Sequence, residues 1–321
     1  MKRLLVLSLA VIMLLSGCCF APGYEGDSSL EMRYELPAWL EADYEVAKET
    51  ATQPTDSDVL TPLPAPEVDL EALPERKDSD IVNALDYIPD LEVELKYATM
   101  DNFTGQIIYE FTDVYLRYGT LKKLMAVQQD LREHGYLLKV WDAYRPVSAQ
   151  KVLWEAFPDS TYVANPNTGH STHSCGNTVD VTVVDAEGNE LEMPTGFDEF
   201  SKKADRDYSD CTTEAAQNAQ MLEKIMKDHG FTGYNGEWWH YTDNTDYPVE
   251  NVFDPALIST WSAECNEYIN LRDQPNTSAT SIAQIKKDEK FTLLGRTGNF
   301  AYVEYKGVRG YVNADYMKKV G

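Results

Sequence analysis

Between Tyr24 and Asp80 the prolines Pro37, Pro54, Pro62, Pro64, Pro66 and Pro74 interrupt short acidic stretches that show no sustained hydrophobic period. Such a stretch cannot bury enough apolar surface to offset the entropy of ordering it. Residues 19–80 are therefore expected to be an extended acidic linker, with a partner-binding tail as the other reading. Folding is confined to the residues from 81 onward, where branched and aromatic side chains replace the prolines. A chain of 321 residues leaves room there for two domains, at about 100–200 residues each. Acidic residues outnumber basic ones, 53 against 28, for a formal charge of −25. A phosphate polymer would be repelled from most of such a surface, which excludes nucleic acid as a partner.

The first eighteen residues carry a separate signal. Lys2 and Arg3 precede an apolar run over residues 4–15 and then Ser16-Gly17-Cys18. A basic start, an apolar stretch too short to span a bilayer, and small residues before a break make an export signal. Leu15-Ser16-Gly17-Cys18 resembles the lipobox of bacterial lipoproteins, which implies lipidation at Cys18. A diacylated cysteine supplies the two chains that stable anchoring needs. The expected location is extracytoplasmic, on a membrane; an ordinary cleaved signal with an incidental cysteine is the alternative.

Residues 91–97 alternate apolar and polar side chains and predict a half-buried strand. Residues 121–134 place Leu121, Leu124, Met125, Gln128 and Leu131 on one face of a helix ended by Gly135. Strands are expected over 136–141 and 177–184, and helices over 148–157 and 213–229, the last closed by Gly230. Strands and helices mixed without a regular repeat predict an α+β domain over residues 81–260, with a mixed or antiparallel sheet and flanking helices. Residues 264–321 differ: short strands over 268–272, 280–285, 290–295, 301–305 and 310–312, separated by Gly or Asn turns, form the pattern of a small β-barrel. Asn270-Leu271-Arg272 and Gly307-Val308-Arg309-Gly310-Tyr311-Val312 make it resemble a bacterial SH3-like domain, which implies contact with peptidoglycan or a packing role.

The five histidines are His134, His170, His173, His229 and His240. His134 and His229 each precede the glycine that closes a helix, where the dipole favours a cation and no chemistry is needed. Imidazole and carboxylate come together only in Gly169-His170-Ser171-Thr172-His173-Ser174-Cys175-Gly176 with Asp180, and in Glu237-Trp238-Trp239-His240. Catalytic zinc takes three protein ligands and leaves a fourth position for water. His173, Asp180 and His240 supply such a set if the chain turns at Gly176-Asn177 and bends before Glu237, since flat strands would point these pairs apart. Glu237 is then the candidate general base, and Arg145, at the end of a strand, the candidate partner of an oxyanion. By itself Arg145 also reads as one half of a surface ion pair.

Ser171-x-His173-x-x-Gly176-x-x-x-Asp180, then Glu237-Trp238-Trp239-His240, with Asp142-Ala143-Tyr144-Arg145-Pro146 upstream, resemble the VanX-type D-alanyl-D-alanine dipeptidases. These belong to the zinc D,D-peptidases. Leu95-Lys96-Tyr97-Ala98-Thr99 with Asp101-Asn102-Phe103-Thr104-Gly105 is similar to the start of that domain. The resemblance implies one zinc ion on His173, Asp180 and His240, Glu237 as base, Arg145 at the transition state and Ser171 in the substrate pocket. Asp142 would orient Arg145 or the substrate amine. It implies cleavage of D-Ala-D-Ala or a related D,D-dipeptide. Removal of the last residue of a peptidoglycan stem peptide, and a non-catalytic wall-binding lipoprotein, are the competing expectations. Two features depart from the family: Thr178 where a small apolar residue is usual, and an export signal where the best known relatives are cytoplasmic.

If Cys18 carries lipid, Cys19, Cys175, Cys211 and Cys265 remain. Export to a non-reducing compartment makes a Cys175–Cys211 disulfide the expectation. Cys175 as a metal ligand is the alternative, in competition with Asp180.

Overall fold

The computed structural model describes residues 61–320. Cys18, the signal segment and the linker as far as residue 60 lie outside the described residues. Residues 61–80 do not stand free as spacer. The Leu63 N–H donates to Arg132 O, and Arg76 pairs with Glu304 at 2.7 Å near the C-terminus of the chain.

The chain then runs through β1 (Ile81–Asn83), β2 (Glu92–Val93), β3 (Tyr115–Arg117), α1 (Tyr118–Glu133), β4 (Leu137–Asp142), α2 (Val147–Ala156), β5 (Thr178–Val184), α3 (Thr213–Asp228), β6 (Phe231–Gly233) and β7 (His240–Asp243). Five of these strands form one sheet in the order β2-β4-β5-β7-β6, with β2 parallel to β4 and the other pairs antiparallel. This is the mixed sheet of the α+β expectation. Strands β1 and β3 form a separate antiparallel pair.

Helix α1 buries Leu121, Leu124, Val127, Gln128 and Leu131, so Val127 takes the core place expected of Met125, which is half-buried. Each fully buried aliphatic side chain of this kind contributes about 1.5–3 kcal/mol. Gln128 is satisfied at both ends of its amide: Oε1 accepts from the Leu138 N–H at 2.9 Å and Nε2 donates to Asp90 O at 3.2 Å. A polar residue on an apolar face thus sets where β4 starts.

The strand predicted over residues 91–97 is a correction. Only Glu92 and Val93 pair with β4, and Lys96–Ala98 form a 3-10 turn. Leu91, Leu95 and Tyr97 are nonetheless buried. Alternation recorded which side chains point inward, and a turn can satisfy that as well as a ladder. The Tyr97 carbonyl accepts from the N–H groups of Ile108 and Tyr109 rather than from a neighbouring strand.

Beyond residue 258 a seven-stranded antiparallel sheet comprises β8 (Ser259–Ala263), β9 (Tyr268–Arg272), β10 (Ser281–Lys286), β11 (Lys290–Thr297), β12 (Phe300–Tyr305), β13 (Val308–Asn313) and β14 (Met317–Lys319), in the order β10-β9-β13-β12-β11-β8-β14. The five strands read from the sequence are β9 to β13. β8 and β14 pair with each other at the sheet edge, and neither carries a clear alternation. Ile269, Leu271, Ile285, Phe291, Leu293, Val303 and Val312 form the core of this unit. Among the described residues no helix is long and apolar enough to cross a membrane.

Candidate metal and active site

Three strands bring their ends to one row. In the register of the central sheet, Asp142 on β4 faces Asp180 on β5, and Asp180 faces His240 on β7. His173 reaches the same place from outside the sheet. A 3-10 turn over Thr172–Cys175 ends at Gly176, whose φ of +77° lies in the left-handed region that glycine enters at little cost. The chain there reverses into β5, which is the turn the ligand set requires.

Donor atoms converge as a result. His173 Nε2 lies 3.3 Å from Asp180 Oδ2 and 3.4 Å from His240 Nδ1, and His240 Nδ1 lies 3.0 Å from Asp180 Oδ1. A tetrahedral ion with bonds of about 2.0–2.2 Å has ligand edges of about 3.3–3.6 Å; the imidazole–imidazole distance is such an edge, one Asp180 oxygen lies beside each ring, and one donor atom from each residue lies within 4.8 Å of the other two, close enough to share a single ion. Asp180 Oδ1 is buried and receives no well-formed hydrogen bond. His173 Nδ1 meets Ala143 O at 2.8 Å, which places the proton on Nδ1 and leaves Nε2 free to ligate. Burial alone would raise the Asp180 carboxyl, but the two imidazoles hold it well below the usual carboxylate range. Among the described residues this is the one group of three or more metal-ligating side chains within reach of one ion.

Glu237 lies in the bend before β7, 3.7 Å from His240 Nδ1, and is 8% exposed. Burial, with the carboxylates of Asp180 and Asp198 added against the opposing pull of His240, pushes it up to about 7. Arg145 follows β4 and is buried; its Nε and Nη2 donate to Asp142 Oδ2 at 2.9 and 2.6 Å, and its Nη1 donates to Gln150 Oε1 at 2.8 Å. Burial opposes its charge, yet Asp142, with Tyr97, Tyr109 and Asp180 added, more than offsets this and keeps the guanidinium protonated. The second Asp142 oxygen accepts from Tyr109 Oη and from the Ala143 N–H. Both Asp142 oxygens are engaged and the side chain has no exposure, so it faces Arg145 and is not among the residues lining the cavity.

Ser171 is buried and lines the same cavity, whose volume is about 630 Å³. Thr178 meets its cross-strand partner Thr242 hydroxyl to hydroxyl at 3.0 Å, so its departure from the family pattern is absorbed within the sheet. His170 is exposed on the cavity rim, while His134 and His229 cap α1 and α3 as expected. Sequence reading missed Asp198. It lines the cavity, accepts from Tyr97 Oη at 2.9 Å, and is pushed up to about 8, chiefly by burial and then by Asp180. Its one trace in the sequence is the acidic pair Asp198-Glu199 between Phe197 and Phe200.

Cys175 and Cys211 are both free, so the expected disulfide is not formed. Cys175 is buried at the end of the 3-10 turn beside Arg117, whereas the Cys211 thiol donates to Tyr208 O among Asp210, Glu192 and Asp207. They share no neighbour. Cys175 is also absent from the converging donor atoms.

Residues 77–256, which hold every one of these side chains, match the D-Ala-D-Ala dipeptidase family of M15 peptidases. The chain belongs to that family. This dipeptidase domain is 38% identical over 163 residues to the D-alanyl-D-alanine dipeptidase of Escherichia coli (strain K12), covering 51% of this chain and 84% of that protein. It is 30% identical over 181 residues to the D-alanyl-D-alanine dipeptidase of Enterococcus faecium, covering 50% of this chain and 90% of that protein. A third dipeptidase of that name, from Enterococcus faecalis (strain ATCC 700802 / V583), is 33% identical over 168 residues, covering 46% of this chain and 83% of that protein. Residues 267–318 match the bacterial SH3 domain family. The M15 domain is that of a metal-dependent peptidase, with one metal site at His173, Asp180 and His240.

Proposed function

We propose that this protein hydrolyses D-Ala-D-Ala, or a closely related D,D-dipeptide, with one zinc ion held by His173, Asp180 and His240. The observation that carries the reading is the convergence of those three side chains beside the buried Glu237 carboxyl. Two imidazoles and one carboxylate within reach of one ion are a donor set suited to zinc. The chemistry a zinc ion supplies when bound is Lewis acidity toward the peptide carbonyl and a lowered pKa for an attacking water. The chain's own residues do the rest. Glu237, held near 7, takes a proton from the water at neutral pH and passes it to the leaving amine. Arg145, fixed by Asp142 and Gln150 and always charged, stabilises the oxygen on which negative charge develops. Ser171 faces the substrate from the cavity wall, and Asp198 with Tyr97 receives the substrate ammonium. No acyl-enzyme is needed.

A second reading has a specific observation in its favour. The cavity of about 630 Å³ is larger than two alanines require, so the stem peptide of peptidoglycan is a substrate to be compared with the free dipeptide. A lipid anchor at Cys18 and contact with the cell wall through the SH3-like domain would place the enzyme beside such peptides. Tyr268, Phe300 and Tyr316, with Asn270 and Arg272 between them, line a groove on that domain suited to wall peptides or sugars. Replacing Cys18 by Ser should move the protein from membrane to medium.

The test of the main reading is turnover of D-Ala-D-Ala beside a stem pentapeptide by wild type and Glu237→Ala, with metal content measured on both. Loss of turnover at unchanged metal content supports the assignment. Undiminished hydrolysis by Glu237→Ala, or no hydrolysis by wild type as a non-catalytic wall-binding protein predicts, refutes it.

A further inference from the structure

We propose that the C-terminal SH3-like domain is the back support of the catalytic centre: it seats Phe253, Phe253 holds Tyr144, and Tyr144 is a positioning residue for Arg145. This rests on the reading of Arg145 and His173 given above.

The support can be followed atom by atom. Phe253 forms an antiparallel bridge with Gly295 on β11, and the Asp254 N–H donates to Leu294 O at 2.9 Å. The two backbones approach so closely that a Cβ on Gly295 would lie 1.8 Å from Val252 O, which glycine alone avoids. The Phe253 ring packs edge-on against Tyr115 at 5.2 Å and Tyr144 at 5.5 Å, and its carbonyl accepts from Tyr144 Oη at 2.8 Å. These residues, with Ile81 and Leu294, form a buried cluster drawn from both domains. Arg309 adds a polar tie across it, donating from Nη1 to Ile81 O at 2.6 Å.

Tyr144 sits between two working groups. Ala143 O holds His173 Nδ1, and the Arg145 N–H donates to His173 O at 3.2 Å. The same C-terminal segment also holds the turn itself. The Glu250 N–H donates to Ser174 O at 2.8 Å, and Glu250 Oε1 accepts from the N–H groups of Val252 and Phe253. Both the stretch after β4 and the 3-10 turn are irregular backbone, tied to β3 only by the Tyr144 N–H to Tyr115 O bond at 3.0 Å and by Arg117, which donates to Gly176 O and Cys175 O at 2.8 Å, so what they pack on also decides where they stand. On one side lies the cavity, and on the other lies this cluster. The dipeptidase match ends at residue 256, so the surface that seats Phe253 comes from outside that domain.

Steady-state hydrolysis of D-Ala-D-Ala and metal content, measured on the full chain, test this with Gly295→Ala, Tyr144→Phe, Arg145→Ala and the double variant Tyr144→Phe/Arg145→Ala. Gly295→Ala wedges the two backbones apart, and small displacements of this kind are costly, so kcat should fall about tenfold. KM should stay within about twofold and metal content unchanged, because the group displaced acts in the transition state. Tyr144→Phe keeps the ring and removes one hydroxyl; its smaller kcat loss should vanish in the Arg145→Ala background, a non-additivity that general loosening would not produce. If Gly295→Ala does not fold, Tyr144→Phe and the double variant decide alone. Wild-type kcat in Tyr144→Phe beside a large loss in Arg145→Ala overturns the proposal and leaves the catalytic reading standing, as does full additivity in the double variant. Wild-type kcat in Arg145→Ala overturns the catalytic reading and the support with it.

Discussion

Asp180 and His240 are cross-strand partners between β5 and β7, with Oδ1 3.0 Å from Nδ1, although sixty residues separate them along the chain. Antiparallel register alone thus assembles two of the three metal ligands. Residues directly opposite in such a pair have Cβ atoms only about 4.5–5.5 Å apart, so no loop motion is needed to close the site.

Replacing His240 by Ala should empty the site without unfolding the sheet, because His240 is the first residue of β7 and is only partly buried. Activity should fall by at least about 100-fold, the upper range for losing even an outer partner of a ligand. Metal analysis after dialysis checks this. A chelator should inactivate wild type equally, with recovery on adding zinc.

Asp142→Asn keeps the side-chain shape but leaves the Arg145 guanidinium buried without its counter-charge. Breaking a buried pair from one side costs about 3–5 kcal/mol. Urea unfolding should register that loss, and kcat should fall too, since the guanidinium is no longer held.

Asp198→Asn removes the carboxyl assigned to the substrate ammonium, a group pushed up to about 8 in the free site that the ammonium would draw into its charged form. A hydrogen bond to a charged group is worth about 1.5–3 kcal/mol, so KM for D-Ala-D-Ala should rise about 10- to 100-fold. Initial rates over a range of dipeptide concentrations decide; an unchanged KM would remove Asp198 from substrate recognition.

Glu289 stands in the tight turn between β10 and β11, where Tyr305, Lys306 and the Lys286 N–H lower its carboxyl from the usual 4.5 to about 2. A depressed folded-state pKa means that the carboxylate stabilises the fold fully above about 4.5, and that this contribution is lost as pH falls toward 2. Melting temperatures of wild type and Glu289→Gln should therefore differ at pH 6 and converge as the solution is acidified. A constant difference would contradict the shift.

The ligands were legible because metal chemistry restricts residue type so strongly. With five histidines, two of them plainly helix caps, His173, Asp180, Glu237 and His240 stand out from residue type and spacing alone. Gly176 and the bend before Glu237 could be named as requirements, since strand geometry otherwise sends those side chains apart. Helices α1 and α3 and strands β9 to β13 also showed in local periodicity. What local pattern could not carry was partnership. The alternation over residues 91–97 looked the same whether a ladder or a turn buried Tyr97. Asp198 entered the cavity through packing of distant segments, and Cys175 and Cys211 turned out to have separate neighbours. Nor does any motif mark Phe253, Gly295 and Tyr144 as one cluster. Residue chemistry and short-range period are properties of consecutive positions. Register, burial and the contact between the two domains are set by which surfaces exclude water together, and that is known only when the chain is folded.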